Sequence, residues 1–318
     1  FSSSVVTDTV TSNKIVALTG ASGFVGQSLL QNLIAAGHKV RVLIRNPQTF
    51  QQPPLLDNNQ LEVIQGNLQP GPHLDQLLLG VTALIHCAGR VRGEVYSEFE
   101  KDNVHGTMAL VDACKQSQTI VHFIQISSLA SRQPQLSHYS KSKYEAEQYI
   151  QNNYPGPWSI IRPPAIYGGH DQEMRPVFDW MQRGILWLPC KADNRFSLIH
   201  INDLAQLIVS HSLNQLSLHK VIEPDDGHEN GYSWHDIRSM GSTIFRRQIR
   251  MLALPALLLE TAARVNVVIC RILGKSPMLT PEKLSELRFS NWVAAPERAA
   301  ENWIAEIPLN QGILSIYK

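Results

Sequence analysis

Short aliphatic or β-branched runs recur along the first half of the chain, at Lys14–Thr19, Lys39–Ile44, Leu61–Gln65, Thr82–His86, Thr119–Ile126 and Trp158–Ile161. They are mostly apolar throughout rather than alternating, as in strands buried on both faces. Helix-length stretches separate several of them, at Phe24–Ala36, Glu94–Gln116 and Tyr139–Asn152. Strands divided by helices make βαβ units, which predict an α/β fold: a doubly wound parallel sheet of the Rossmann kind.

After Ile161 the rhythm breaks. Pro163, Pro164, Gly168, Gly169, Pro176 and Pro189 interrupt it, and Trp180, Trp187 and Trp234 enrich it in aromatics. A further strand (Arg195–Ile201) and helix (Asn202–Leu213) follow. The predicted division is a flexible tail over 1–12 and a dinucleotide-binding domain over 13–165 plus about 195–225. A smaller, interleaved C-terminal substrate domain takes 166–194 and 226–318. Leu252–Leu273 is the most apolar stretch, but Pro255, Glu260, Arg264, Asn266 and Arg271 interrupt it. Glu260, Arg264 and Arg271 trace one polar stripe on a helix. That pattern predicts a core or interface helix, with membrane association as the minority alternative, and no membrane span.

With 43% hydrophobic residues the chain has ample material for a core, which excludes wholesale disorder. Lys and Arg number 28 against 27 Asp and Glu. That balance argues against a nucleic-acid partner, whose phosphates call for a basic excess. Cys87, Cys114, Cys190 and Cys270 lie far apart, fitting free thiols in a reducing compartment. Residues Phe1–Ser12 lack the basic start and apolar run of a signal peptide. The thiol pattern points to a cytoplasmic protein. Twelve histidines show no metal-ligand spacing, so no metal is expected; His228 and His235 read as part of a solvated acidic loop.

Gly20, Gly23 and Gly26 follow the first strand and open a helix. Such glycines permit a sharp turn, close backbone approach to a diphosphate, and tight packing of helix on strand. Free N–H groups and the positive helix end then meet the anion. Ser22, Phe24 and Val25 belong to the same candidate loop. At the end of the second strand, where an acid would bind the ribose of NAD, the sequence carries Arg45. A guanidinium suits a 2′-phosphate, so NADP is favoured over NAD. Asn67, with Leu68, follows the third strand as a candidate adenine contact or an ordinary turn.

Tyr139 and Lys143 stand at i and i+4, on one helix face. At about 4 Å and an effective dielectric near 20, their Coulomb interaction is about 4 kcal/mol, equivalent to a pKa change of about three. That predicts a tyrosine acidified towards neutrality and able to exchange a proton with a carbonyl or an alcohol. Ser127 and Ser128 end the fifth strand, at the sheet edge where such folds bind ligands. Either hydroxyl is placed to steady a substrate oxygen, and Ser128 is the first choice. Asn103 is open between a proton relay and a structural tie. His138 reads as an exposed helix start, His86 and Cys87 as strand-end packing. The tryptophans at 180, 187 and 234 read as core or as pocket wall.

These residues carry a family resemblance. The motifs are Thr19-Gly20-Ala-Ser-Gly23-Phe-Val-Gly26, Leu84-Ile-His-Cys-Ala88-Gly89, Asn103-Val-His-Gly106-Thr107, Ile126-Ser-Ser128, Tyr139-x-x-x-Lys143, Ile161-Arg-Pro-Pro-Ala-Ile-Tyr-Gly168 and His200-Ile-Asn-Asp203. In this order, over about two-thirds of the chain, they resemble the extended short-chain dehydrogenases/reductases. These include NAD(P)-dependent epimerases and dehydratases and 3β-hydroxysteroid-dehydrogenase-like enzymes. The resemblance implies Tyr139 as acid/base and Lys143 as its tuner and ribose ligand. It also implies Ser128 as the orienting hydroxyl, Ala88 and Gly89 beside the coenzyme, and Pro163–Pro164 near the nicotinamide. It further implies a homodimer through the Glu94–Gln116 and Tyr139–Asn152 helices. Two departures narrow the chemistry. Dehydratases carry an acidic pair after the strand-five hydroxyl, where this chain has Leu129-Ala130. Many epimerases hold NAD with an acid where Arg45 stands. The expected function is an NADP-dependent oxidoreductase interconverting a small-molecule carbonyl and alcohol by hydride transfer. The alternatives are a nucleotide-sugar epimerase and a non-catalytic NAD(P) sensor.

Overall fold

A computed structural model describes residues 14–53, 59–214 and 216–317. The proposed tail over 1–12 lies outside the described residues. The chain opens with β1 (Ile15–Thr19), α1 (Phe24–Ala35), β2 (Lys39–Ile44), β3 (Leu61–Gln65), α2 (Pro72–Leu78) and β4 (Val81–His86). It continues through α3 (Tyr96–Phe99), a π-helical turn over Glu100–His105, α4 (Gly106–Gln116), β5 (His122–Ile126), α5 (His138–Asn153) and β6 (Trp158–Ile161). The middle holds β7 (Ala165–Tyr167), α6 (Arg175–Gln182), β8 (Ile185–Leu188), β9 (Arg195–Phe196), β10 (Leu198–His200), α7 (Ile201–Asn214) and β11 (Lys220–Ile222). Last come β12 (Tyr232–Ser233), α8 (Trp234–Ile244), β13 (Arg250–Ala253), α9 (Ala256–Ile272), α10 (Pro281–Arg288), β14 (Asn291–Trp292) and α11 (Leu309–Ile316).

Seven strands form one parallel sheet in the order β11-β6-β5-β4-β1-β2-β3. The doubly wound Rossmann-like fold is therefore present. Its order reverses between β1 and β4, and ligands bind at that crevice in open α/β sheets. Apolar side chains of the central strands reach both faces. Val16, Leu18, Val40 and Ile85 pack with Leu29, Leu33, Leu204 and Ile208 on one side. Ala17, Leu84 and Phe123 pack with Leu77, Leu110 and Ile150 on the other. A separate cluster around Tyr167, Phe178, Met181, Leu198, Trp234 and Ile313 organises the later chain.

Several boundaries differ from expectation. The Glu94–Gln116 stretch starts at Tyr96, because Glu98 accepts hydrogen bonds from the Glu94 and Val95 amides and so begins the helix there. Its middle is a π turn, a local widening that re-aims side chains. The Thr119–Ile126 run shortens to His122–Ile126, because Ser117 and Thr119 hydrogen-bond each other in a turn. Arg195–Ile201 splits at Ser197, whose hydroxyl donates to Asp225. Its halves then enter different sheets, β9 with β12 and β14, β10 with β7. Of the core-or-interface reading of Leu252–Leu273, the core alternative does not hold. Within α9 only Leu259 and Ala263 are buried, and the broad apolar stripe faces outward.

Candidate active site

The turn after β1 is built by two glycines that must lack side chains. Gly20 has φ +78°, and a Cβ there would lie 2.5 Å from the Ala88 amide nitrogen. A Cβ on Gly26 would lie 1.9 Å from the Gly20 carbonyl oxygen. The start of α1 therefore presses against the turn, which itself presses against the end of β4. Gly23, the N-cap of α1, would meet only the Gly20 oxygen at 3.4 Å, so the space above it is open. No side chain caps this helix and its first turn carries no acid, leaving its amide end to an anion. Ser22 is exposed there, with Phe24 and Val25 half-buried.

A cavity of about 330 Å³ at the ends of β2 and β3 is lined by Arg45, Gln65, Gly66, Asn67 and His73. Arg45 is exposed in it. The Asn67 side chain accepts from the Gln69 amide at 2.9 Å, and its carbonyl meets His73 Nε2 at 2.8 Å. Leu68 packs over the position where Gly106 would carry a Cβ. Glycine cradle, uncapped helix end and basic cavity together fit a dinucleotide.

Across the switch point, His86 is fully buried at the end of β4. Burial, with the Lys143 charge, pushes its pKa down to about 3. The neutral ring bridges Thr19 Oγ1 through Nδ1 (2.7 Å) and Thr107 Oγ1 through Nε2 (3.2 Å). Thr19 Oγ1 accepts from the Ala88 amide, and Thr107 donates to the Asn103 carbonyl. This pattern places the imidazole proton on Nε2. Asn103, on the π turn, accepts from the Arg90 amide (2.6 Å) and donates to the Arg90 carbonyl and to Ser142 Oγ (2.8 Å). It ties the loop after β4 to α5.

Helix α5 carries Tyr139 and Lys143. Its cap, Ser137, accepts from the Ser140 amide at 2.9 Å. The Ser128 hydroxyl, just past the end of β5, lies near enough to the Tyr139 phenol to favour its ionised form. Ser127 donates instead to Glu147, in a buried cluster where Glu147 also receives Ser131 Oγ (2.7 Å) and Arg162 Nη2 (2.6 Å). Arg162 reaches Glu223 at 3.2 Å as well. The cluster holds α5, the end of β6 and the following Pro163–Pro164 together; both prolines are buried and Pro163 accepts from the Leu129 amide.

Lys143 differs from expectation. Its ammonium donates to the Ile126 carbonyl at 2.9 Å and lies where Gly89 would carry a Cβ, 3.2 Å away. Burial lowers its pKa, against the pull of Cys87 and Glu147. The cation that acts on Tyr139 is Lys283, 6.0 Å from its ring centre. The expected acidification by Lys143 is therefore corrected. Burial pushes the phenol up to about 12, although the nearby Ser128 hydroxyl and the Lys283 charge work the other way.

Lys283 comes from α10, which no sequence motif marked. Its ammonium meets Glu286 at 3.0 Å and Glu173 at 4.0 Å. Burial disfavours that charge, but these carboxylates outweigh it and hold the pKa above the ordinary lysine value. Glu286 in turn accepts from Ser137 and Ser140, and Glu282 pairs with His138 at 3.0 Å. Two carboxylates of α10 thus dock on the start of the tyrosine helix and bring Lys283 over it. Spacing of i, i+4 between Glu282 and Glu286 hints at an acidic face, but nothing in it names the partner. Trp234 is buried and donates to Cys190, whereas Trp180 and Trp187 are partly exposed.

A family profile described as NAD(P)H-binding matches residues 20–179, just over half of the chain. The chain is 28% identical to a ceramide reductase of Caulobacter vibrioides over 94% of its own length and 92% of that protein's. It is 30% identical to a 3-beta-hydroxysteroid dehydrogenase of Mycolicibacterium neoaurum over 52% of its length, and spans 51% of that relative. Among solved structures, a UDP-glucuronic acid 4-epimerase of Bacillus cereus superposes with TM-score 0.66 at 20% identity, covering 95% of this chain and 98% of that one. The chain belongs to the NAD(P)H-binding family.

Proposed function

We propose that this chain is an NADP(H)-linked carbonyl reductase working through Ser128, Tyr139 and Lys143. The observation that carries the reading is the approach of Tyr139 to Ser128 at the carboxyl edge of the sheet, the edge that also holds the glycine turn. When bound, the nicotinamide supplies the hydride. Tyr139 gives its proton to the substrate oxygen, and Ser128 orients that oxygen. A phenol held near pKa 12 stays protonated at neutral pH, which suits reduction more than alcohol oxidation. Lys143, beside Gly89 and Ile126, holds the ribose. Arg45 in the β2–β3 cavity supports NADP over NAD by offering a guanidinium to the 2′-phosphate.

The substrate is a ketone bearing an aliphatic chain. Two observations support this: the near full-length similarity to a ceramide reductase, and an apolar pocket of about 400 Å³ lined by Pro176, Val177, Trp180, Leu186, Trp187 and Leu254. The test compares NADPH with NADH by thermal shift, then follows NADPH oxidation with long-chain ketones and with nucleotide sugars. The expected result is a larger shift with NADPH and oxidation only with the ketones. Preference for NADH, or conversion of a nucleotide sugar without net NADPH oxidation, would overturn it.

A further inference from the structure

Helix α9 reverses the usual amphipathic arrangement. Leu258, Ala262, Val265, Ile269 and Ile272 follow i, i+4, i+7, i+11 and i+14 on its outward face, and all are exposed. Leu258 is 62% and Ile272 79% accessible. The stripe continues through exposed Leu252 and Leu257 to the apolar pocket holding Leu254, Trp180 and Trp187. A soluble chain seldom leaves such a contiguous face in water without a partner.

Charge identifies the partner. Between Arg238 and Lys275 the chain carries seven Arg or Lys and a single acid, Glu260, although the whole protein is only +1. Arg246, Arg247, Arg250, Arg264 and Lys275 are exposed and form no ion pair among the described residues. Arg183 lies over the Trp180 ring at 5.0 Å. Glu260 is neutralised by Arg288 at 2.9 Å. An apolar stripe flanked by long cations and interfacial tryptophans is the pattern of a helix lying in an anionic bilayer surface. A second copy of this chain fits less well, since a two-fold contact would bring the two basic faces together. Spanning is excluded for α9: no helix among the described residues is long and apolar enough to cross a membrane.

We propose that the outward face of α9, with Trp180 and Trp187 beside it, docks this protein on an anionic phospholipid surface. The proposal shares the Trp180–Trp187 pocket with the substrate reading but does not rest on it, because its readout is vesicle binding and not turnover. The test is flotation of the full chain with phosphatidylcholine vesicles, with and without phosphatidylglycerol, at low and high salt. The wild-type chain floats with the anionic vesicles, and high salt weakens the association. Leu258→Glu with Ile269→Glu reduces partitioning more than about tenfold, with circular dichroism and melting unchanged. Arg246→Glu with Arg250→Glu does so by at least about tenfold, on the scale of about fivefold per surface charge. Neither pair changes NADPH affinity. Failure of the wild-type chain to float, or equal flotation of both variants, would overturn the proposal. So would a concentration-dependent dimer that the Leu258/Ile269 pair abolishes without any vesicle binding by the wild-type chain.

Discussion

Alanine at Gly26 puts a methyl group 1.9 Å from the Gly20 carbonyl oxygen and 2.6 Å from its carbon. Gly20 cannot retreat, because its own Cα already faces the Ala88 backbone. The start of α1 must therefore move outward by roughly 1.5 Å to restore an ordinary contact near 3.4 Å. Overpacking costs about 1–3 kcal/mol, offset by about 1 kcal/mol because alanine is the better helix former. The net loss of stability is then about 0–2 kcal/mol, which the fold survives. Binding suffers more. An amide displaced by more than 1 Å carries an N···O distance from about 2.9 to about 4 Å, beyond hydrogen-bond range. Each such bond to a charged oxygen is worth about 1.5–3 kcal/mol. Losing two weakens NADPH binding by about 3–6 kcal/mol, or about a hundredfold to ten-thousandfold in Kd. Calorimetric titration with NADPH measures it, with melting as the check on folding. Gly23→Ala is the control for stability, since its methyl meets only one atom at ordinary distance. Wild-type NADPH affinity in Gly26→Ala would refute the cradle.

Three further substitutions probe the site from other sides. Arg45→Asp is expected to weaken NADPH by about tenfold or more and leave NADH nearly unchanged; equal loss for both in parallel titrations would contradict the 2′-phosphate contact. Lys283→Met removes a charge that lowers the Tyr139 pKa, so the phenol becomes less acidic and the phenolate fraction falls at every pH below its pKa. Alcohol oxidation near pH 9 then drops about tenfold each time that pKa rises by about one, while ketone reduction holds; equal loss in both directions would make Lys283 a purely structural residue. Glu147→Ala leaves the buried Arg162 guanidinium half-paired, with Glu223 alone, and Ser127 without its acceptor. Urea unfolding should register about 3–5 kcal/mol of lost stability, and a loss below about 1 kcal/mol would show that the cluster is not a support.

The sheet was legible because its strands are apolar on both faces and separated by helices. Strand β11 was not: three residues, Lys220–Ile222, follow left-handed Ser217 and His219 and carry no run long enough to notice. The glycine turn and the Tyr139 helix announce themselves through local spacing. The surroundings of Tyr139 do not, because Lys283 and Glu286 reach it from more than 140 positions away. Their helix has an ordinary Thr280 cap and no apolar signature. The charge assigned to Lys143 from i, i+4 spacing was misread for a related reason. Spacing sets the helix face, but the Ile126 carbonyl decides where the ammonium points. Helix α9 shows the limit of periodicity: its stripe is correct, yet a stripe alone cannot tell core from open surface.

The central claim is that the Tyr139 phenol supplies the proton beside a bound coenzyme. Tyr139→Phe removes one oxygen and leaves α5, its Ser137 cap and the Glu286 contacts in place. Stopped-flow turnover and NADPH titration on the same preparation measure it most directly. The expected result is unchanged NADPH affinity with carbonyl reduction slowed about a hundredfold to ten-thousandfold. Reduction at the wild-type rate by the phenylalanine variant would contradict the account.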